Sequence, residues 1–501
     1  MPRGAQKLDV ERQPALSDGD FGKKRYIPNV RELIGKHLRF FILAAAAGAG
    51  LRLIFVFYFP GVTNDSFIYG DIAKNWLRHG IFGLSGFSGV SPTDIRLPGY
   101  PAFVAAIFAI FGADHYRAVL IAQLFVDIAT CLVCADLAKR LLGNRAAKAA
   151  FLLAALCPFL ANYSAAALTE TLEVFFTALA LDFAICALRE ASMAAWAGCG
   201  FGCAAAILLR PDGALLLIVI DLYLLARLLL PATRTNAQST SARFSATILV
   251  TALALTPLAP WALRNYRVVH HFQPLAPRYA NEEGEFVPMG FNRWTKTWIA
   301  DYVSVEEVYW AVPGTRIDVN NLPGRAFDSS QQRQETERVI AEYNDLLHVS
   351  RPLDDQFEAL AQQRIRSHPV RYYVWLPLLR ITDMWLRPRT EMLPSDTRWW
   401  EFDDEPRWSA LAVGLGLAGL FYVSLALTGF GRQSAYPGSG LLILFVLGRS
   451  LFLGSLENPE PRYTLEMYPV VIFFAAAALA GRTITAEKYE QQLTPAANRS
   501  S

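Results

Sequence analysis

Charged residues are scarce in this sequence. Asp, Glu, Lys and Arg make up 18% of its 501 residues, against roughly a quarter in soluble proteins. The six cysteines all lie in apolar segments and the seven histidines show no metal-ligand spacing, so the sequence predicts neither a disulfide framework nor a zinc site. The net charge of +3 argues against nucleic acid as the main partner.

Apolar residues are abundant instead, at 53% of the chain with a mean hydropathy of +0.25. They form runs of about 20 residues, the length that a helix needs to cross a hydrocarbon core of about 30 Å. The sequence therefore predicts an all-α polytopic membrane protein with about ten (ten to twelve) transmembrane helices and a mixed extracytoplasmic loop domain. The predicted spans are residues 40–60, 116–138, 146–161, 166–188, 193–209, 213–230, 244–262, 409–430, 439–456 and 464–481.

Basic residues set the predicted orientation. The first 39 residues contain nine Lys or Arg against five Asp or Glu, and the basic connections that follow fall on alternate turns, which the positive-inside rule assigns to the cytoplasm. The predicted parts are a cytoplasmic basic tail (1–39), a transmembrane module (40–263) with a first external loop (61–115), an external or periplasmic loop domain (264–408), C-terminal transmembrane helices (409–481) and a cytoplasmic tail (482–501).

The stretch 372–388 could either span the membrane or lie on it. It is apolar but short, and it contains Arg380 and Asp383. Counting it as a span would place Arg432 and Arg482 outside, against the positive-inside rule. We therefore predict an interfacial helix there, with both termini of the chain in the cytoplasm.

The first external loop contains a candidate catalytic carboxylate. Ile68, Ile72 and Trp76 recur every four residues, which predicts an amphipathic helix on the outer membrane surface. Thr63 or Asn64 can cap its start, so Asp65 falls in the first turn, where the helix dipole favours a negative charge. The sequence leaves open whether Asp65 only complements the dipole or acts as a base.

Four other predicted outer-face motifs carry charge, three of them beside aromatic or proline residues. Arg96-Leu-Pro-Gly-Tyr100-Pro is either a phosphate or carboxylate ligand on a rigid turn or an interfacial anchor. Glu170 and Glu173 share one helical face at a membrane boundary, where ionisable groups are functional suspects. Arg52, inside the first predicted span, is a candidate structural counter-ion, and the sequence does not say which charges pair. The remaining two are Pro260-Trp-Ala-Leu-Arg264-Asn-Tyr266 and Glu460-Pro-Arg462-Tyr463.

Two weaker patterns stay open. Arg210-Pro-Asp-Gly213 reads as a tight external turn, and we favour a structural role for it. The external loop domain also contains acidic and tryptophan residues that suit either carbohydrate binding or packing: Glu282, Glu283, Glu285, Trp294, Trp298 and Trp310.

Together the motifs resemble the GT-C superfamily of membrane glycosyltransferases, over about residues 40–480. The resemblance is to the bacterial branch related to protein O-mannosyltransferases and to lipid A aminoarabinose transferases. The motifs that carry it are Asp65 with Tyr69 and Ala73, His79-Gly80, Arg96-x-Pro-Gly-Tyr100-Pro, Leu168-Thr-Glu170, Pro260-Trp-x-x-Arg264-Asn-Tyr266 and Arg462-Tyr463. The family's frequent Asp-Glu pair reads Asp65-Ser66 here, so a second carboxylate comes from elsewhere or is not needed.

The resemblance implies a hexosyl or pentosyl transferase that moves a sugar from a polyprenyl-phosphate donor, with inversion, to a lipid, glycan or protein acceptor. It implies Asp65 as general base and, less directly, Glu170 as a second catalytic carboxylate. Candidate substrate and phosphate ligands are Arg96, Tyr69, Tyr100, Arg264, Arg462 and Tyr463. No metal ligand is assigned, although a divalent cation is left open. The expected location is a bacterial inner (plasma) membrane, with the site on the periplasmic side.

Two other functions compete with this one. A transporter or flippase of lipid-linked glycans would also need arginines and carboxylates near a lipid phosphate, but the sequence shows no Walker motif or inverted repeat. A non-catalytic membrane scaffold would leave the outer-face charges unexplained. The sequence does not identify the sugar, the acceptor or the oligomeric state.

Overall fold

The computed structural model describes residues 30–87, 89–229, 240–402, 405–433 and 438–480. Residues 1–29 of the predicted N-terminal tail and the predicted tail 482–501 lie outside these residues. The helices are α1 (Val30–Lys36), α2 (Leu38–Tyr58), α3 (Asn64–His79), α4 (Gly99–Phe111), α5 (Tyr116–Leu142), α6 (Asn144–Ala155), α7 (Pro158–Ser164), α8 (Glu170–Glu190), α9 (Met193–Leu209), α10 (Ala214–Leu229), α11 (Thr240–Leu255), α12 (Leu258–Val268), α13 (Met289–Lys296), α14 (Tyr302–Ser304), α15 (Ser330–Leu346), α16 (Arg351–Ser367), α17 (Leu376–Leu386), α18 (Pro406–Gln433), α19 (Ser439–Gly454) and α20 (Tyr468–Ala480).

Strands are confined to one hairpin among the described residues. β1 (Gly83–Gly86) pairs antiparallel with β2 (Gly89–Pro92) and lies in the first loop. Short 3₁₀ turns occur at Pro211–Gly213, Val319–Asn321, Gly324–Ala326 and Pro461–Met467, and π turns at Val305–Tyr309 and Arg371–Trp375. The predicted all-α class is therefore confirmed, and the hairpin lies between α3 and α4.

Six helices in the described ranges are long and apolar enough to cross a membrane. They are Leu38–Tyr58, Tyr116–Leu142, Glu170–Glu190, Thr240–Val268, Pro406–Gly431 and Pro461–Ala480. α6 and α7 make a seventh if they count as one span, bent by 51° where Pro158 begins the second helix and cannot continue the ladder of the first. Because α4, α9 and α19 are apolar but shorter, the predicted count of ten is not confirmed.

A buried ion pair holds the first span in the bundle. Arg52 is fully buried and donates to Asp127 Oδ2 of α5 at 2.6 Å and to the Ala155 carbonyl at 2.7 Å. These bonds satisfy a charge that would otherwise be costly in an apolar interior. The buried pair agrees with the prediction of Arg52 as a structural counter-ion, and its acidic partner, which the sequence leaves open, is Asp127 of α5.

The loop domain predicted over residues 264–408 has its own hydrophobic core, in which α13 packs on α16. Trp294 and Trp298 are fully buried there, and the ring of Trp294 lies 5.1 Å from that of Phe357. Among the tryptophans that could have bound carbohydrate, these two are packing residues. Trp310, by contrast, is 43% exposed.

The ambiguous stretch 372–388 contains the short helix α17, which is not among the helices long enough to span. Its Arg380 is fully buried and donates to the carbonyls of Ile299 at 2.9 Å and Gly454 at 3.2 Å. The guanidinium thus links the loop domain to the end of α19. The interfacial position of α17 stays a prediction.

Candidate active site

Asp65 lies at the start of α3, held by the cap that the sequence indicates. Thr63 is the N-cap, and its backbone N–H donates to Ser66 Oγ at 3.0 Å to form a capping box. The Ser66 hydroxyl therefore has a structural role in capping the helix, which explains why a hydroxyl-bearing residue lies at this position. Asp65 remains in the first turn, near the positive end of the helix dipole.

Arg96 contacts both Asp65 and an aromatic side chain of α3. Its Nη2 donates to Asp65 Oδ1 at 2.7 Å, and its guanidinium carbon lies 5.7 Å from the centre of the Tyr69 ring. The Asp65 side chain keeps 38% of its surface exposed. An incoming molecule can therefore reach the carboxylate while Arg96 holds it in place.

Tyr69 and Tyr100 pack against each other beside the Asp65–Arg96 pair. Their rings meet edge to face at 4.8 Å, and the buried Tyr100 hydroxyl donates to Gln123 Oε1 at 2.6 Å. Gln123 Nε2 in turn donates to the Ala166 carbonyl at 2.6 Å, just ahead of α8. This chain of bonds links the first loop to the segment that carries Glu170.

A second charged group surrounds Arg210, which follows α9. Its Nη1 lies 3.6 Å from Glu170 Oε1 and its Nε lies 3.4 Å from Glu173 Oε1. The same guanidinium lies 4.8 Å from the centre of the Tyr463 ring. Both glutamates are buried, so Arg210 supplies the counter-charge that their burial requires.

Arg462 reaches the same group from the turn before α20. Its Nη1 lies 3.7 Å from Glu170 Oε1, its guanidinium carbon lies 5.3 Å from the centre of the Tyr463 ring, and Glu460 is paired with it. Two arginines thus flank Glu170 and contact one tyrosine ring. The contacts with Glu170 are long for hydrogen bonds, which leaves their donors available to another anion.

The Asp65 group and the Arg210 group are close enough for their charges to interact. Burial raises the pKa of Tyr69, and the charges of Arg96, Asp65, Arg210 and Glu170 all act on the same hydroxyl. Tyr69 is therefore within electrostatic range of both the Asp65 and the Glu170 groups. The structure brings together seven of the eight predicted site residues, counting Tyr100 through its contact with Tyr69.

Arg264 is the eighth, and its described contacts are different. Its Nη1 donates to the Thr93 carbonyl at 2.7 Å, and its guanidinium lies 5.3 Å from the Phe82 ring and 5.2 Å from the Trp261 ring. These contacts tie the end of the seventh predicted span to the hairpin of the first loop. A phosphate-binding role for Arg264 stays a prediction.

A buried network of ion pairs helps to position Arg210. Arg449 of α19 donates to Asp212 Oδ2 at 2.9 Å and to Glu466, and both acidic groups are mostly buried. Burial would raise the pKa of Asp212, but the attraction of Arg210 and Arg449 outweighs it and lowers that pKa to about 2. Asp212 is thus a fixed negative charge that orients the arginines.

Sequence reasoning treated Arg210 as part of a structural turn and did not consider Arg449, Glu466 or Glu391. The turn itself is present, as the 3₁₀ segment Pro211–Gly213. The available signal was a charged residue at the end of an apolar helix, comparable to Glu170 at the start of one. Within the described ranges, no group of three or more His, Cys, Asp or Glu side chains is arranged to hold a metal ion.

Comparison with known proteins identifies the fold. Residues 92–262 match the family model described as dolichyl-phosphate-mannose-protein mannosyltransferase. No curated protein sequence matches the chain. Among solved structures, the archaeal oligosaccharyltransferase AglB from Archaeoglobus fulgidus, in complex with an inhibitory peptide and a dolichol-phosphate, aligns with a TM-score of 0.50 and 14% identity, over 93% of this chain and 53% of that one.

ArnT from Cupriavidus metallidurans, bound to undecaprenyl phosphate, aligns with a TM-score of 0.34 and 13% identity, over 89% of this chain and 77% of that one. The chain spans about half the length of the oligosaccharyltransferase chains that it matches. The family model and the AglB alignment confirm the resemblance to GT-C membrane glycosyltransferases that the motifs predict, and the fold with it.

Proposed function

We propose that the protein is an integral membrane glycosyltransferase that moves a sugar from a polyprenyl-phosphate donor to an acceptor on the outer face of the membrane, with inversion. The observation that carries this proposal is that a reachable carboxylate, Asp65, and the Arg210–Glu170 pair are both within electrostatic range of Tyr69. Arg462 contacts the same Glu170. Base and anion ligands are the two parts that such a transfer requires.

Asp65 acts as the general base in this proposal. A carboxylate about 3 Å from an acceptor hydroxyl removes its proton as the oxygen attacks the anomeric carbon. Arg96 positions Asp65, and the exposed part of the carboxylate faces the arriving acceptor. Glu170 is the second carboxylate and stabilises the positive charge that develops on the sugar ring.

Arg462 and Arg210 bind the departing phosphate. Guanidinium groups suit phosphate because they present several donors in a fixed plane. Their present contacts with Glu170, at 3.7 and 3.6 Å, are long enough to be exchanged for shorter bonds to a phosphate oxygen. Because the leaving group is already a phosphate, the reaction requires no strong general acid.

An apolar cleft of about 320 Å³ between α17, α18, α19 and α20 supports a long-chain lipid as the donor carrier. α20 borders this cleft with Val470, Val471 and Phe474 and directly follows the turn that carries Arg462. The lining residues are Trp385, Val423, Ala426, Leu427, Phe430, Ile443, Val446, Leu447, Val470, Val471 and Phe474. A polyprenyl chain in the cleft would keep its phosphate near the arginines.

The Asp65→Asn variant tests the proposal. We expect transfer of labelled sugar from a polyprenyl-phosphate sugar to fall by about 10²–10⁴-fold, the usual contribution of a general base, with unchanged thermal unfolding. Asp114→Asn is the matched control, because Asp114 pairs with Lys74 on the surface and asparagine tolerates its positive φ of 62°. Full activity of Asp65→Asn would contradict the base assignment.

The competing function is a flippase of lipid-linked glycans, which the same arginines would serve. In reconstituted vesicles a transferase makes a new glycosidic bond, whereas a flippase only moves the lipid between leaflets. Mass spectrometry of lipids that co-purify with the Asp65→Asn protein would identify a trapped donor. A periplasmic site in a bacterial inner membrane, and a lipid, glycan or protein acceptor, belong to the same proposal.

A further inference from the structure

The segment between α17 and α18 is fixed against the bundle by residues on both sides of Glu391. Arg389 is buried with its guanidinium 4.9 Å from the Phe159 ring and 5.0 Å from the Tyr468 ring, and it donates to Thr464 Oγ1 at 2.6 Å. Met392 packs so closely on Gly61 that a Cβ there would lie 3.1 Å from its sulfur. The backbone of Glu391 is therefore held beside the site.

Several buried polar atoms near this segment lack a hydrogen-bond partner among the described residues. They are both carboxylate oxygens of Glu391, the hydroxyl of Tyr163 and Oε2 of Glu170. Native proteins satisfy the great majority of such groups, because leaving one unpaired costs free energy. Three unpaired groups from three different segments indicate a polar ligand.

These groups lie within electrostatic range of shared neighbours. Tyr163 lies within electrostatic range of Glu391, Arg462 and Glu170, and Glu391 lies within range of Arg389, Glu460 and Arg462. Arg462 is thus the shared neighbour, and it also contacts Glu170 at 3.7 Å. Burial raises the pKa of Glu391 to about 7, although Arg389 and Arg462 oppose the shift. A carboxyl group in that range can accept a hydrogen bond from a hydroxyl or donate one to it.

We propose that Glu391 and Tyr163 form a subsite that binds the hydroxyl groups of the transferred sugar, beside the Glu170–Arg462 pair. Neighbouring hydroxyls on a sugar ring match a carboxyl with two unpaired oxygens, and the tyrosine hydroxyl adds a third polar contact. The subsite rests on the proposed function, since it places the sugar next to the arginines assigned to the phosphate. Glu391 is a specificity residue in this scheme and takes no part in proton transfer.

Binding of two kinds of lipid to the full chain in detergent tests the subsite. The probes are undecaprenyl phosphate without sugar and its mannose, glucose and galactose derivatives. We expect the wild type to bind at least one sugar-bearing lipid more tightly than undecaprenyl phosphate. Glu391→Gln should weaken that binding by about tenfold, the usual effect of losing a charged hydrogen-bond partner, while its affinity for undecaprenyl phosphate stays the same.

Glu401→Gln is the matched control, because Glu401 lies in the same loop, 42% exposed, and pairs with Arg398 at 3.5 Å. Glu391→Asp should recover part of the affinity for the sugar-bearing lipid. Equal loss of affinity for both kinds of lipid in Glu391→Gln would overturn the subsite, as would a wild type that does not distinguish the lipids. Failure of the wild type to bind undecaprenyl phosphate would instead contradict the proposed function.

Discussion

The site has an open half around Asp65 and a closed half around Arg210. Asp65 is 38% exposed and pairs with a single arginine, whereas Glu170 and Glu173 are 5% and 3% exposed and share Arg210 with Asp212. Exposed pairs contribute little to stability, and buried charges destabilise strongly when one partner is removed. The difference indicates that the open half functions in catalysis, whereas the closed half also stabilises the helix bundle.

The largest expected effect is in the closed half. Arg210→Ala leaves Glu170 and Glu173 buried without their shared cation, so we expect it to lower the free energy of unfolding by about 3–5 kcal/mol. Thermal unfolding in detergent would measure the loss, with the exposed pair Arg333–Glu337 as control through Arg333→Ala. Adding Glu173→Gln should restore part of the stability. An Arg210→Ala protein as stable as the control would contradict the difference between the open and closed halves.

The next effect concerns pH. The pKa of Glu391 rises from 4.5 to about 7 on burial, so the folded protein binds this proton more tightly than the unfolded chain. Stability is therefore lost as pH rises from about 4.5 to about 7, by up to about 3 kcal/mol. The Glu391→Gln variant has no titratable carboxyl at this position, so it does not lose stability in this way as the pH rises. The variant should match the wild type near pH 4.5 and unfold at a higher temperature at pH 8; a constant difference would contradict the shift.

A smaller effect is expected where the first-loop hairpin is joined to the seventh predicted span. Arg264→Ala removes the hydrogen bond to the Thr93 carbonyl and the contacts with Phe82 and Trp261, which should cost about 1–3 kcal/mol. If the role is structural, KM for the donor changes less than stability does. A large rise in KM with normal unfolding would instead support the predicted phosphate contact.

The smallest effect on stability is expected in the open half. Arg96→Gln breaks a partly exposed pair with Asp65, so the free energy of unfolding should change by about 1 kcal/mol or less. Sugar transfer should nevertheless fall, because the general base loses the group that positions it. Parallel measurement of activity and unfolding checks this split. Loss of both together would show that the open half is structural as well.

Local patterns in the sequence predicted the parts of the site that depend on neighbours along the chain. Spacing over four residues predicts the cap at Thr63 and the helix that contains Asp65. It also predicts the shared helical face of Glu170 and Glu173. The pairing of charges did not follow. Arg210 lies 40 residues from Glu170 (210 − 170), and only helix packing decides that they meet.

The same limit explains two further differences. Arg52 and Asp127 are 75 residues apart, so the sequence could not identify the partner of that arginine. Trp294 and Trp298 suited either a sugar-binding surface or a core, and the choice depended on α16, which covers them from later in the chain. Composition indicates which side chains need partners, but tertiary packing selects those partners.

The backbone bridge between Gly61 and Ala166 bears on how this site tolerates change in length. The Gly61 N–H donates to the Ala165 carbonyl at 2.8 Å, and the Ala167 N–H donates to the Gly61 carbonyl at 2.8 Å. Asp65 and Glu170 each follow the bridge by four residues, so these two short arms fix their separation. Insertions into the β1–β2 hairpin should therefore preserve the spacing of the two carboxylates, whereas one added residue in either arm should shift one carboxylate relative to the other.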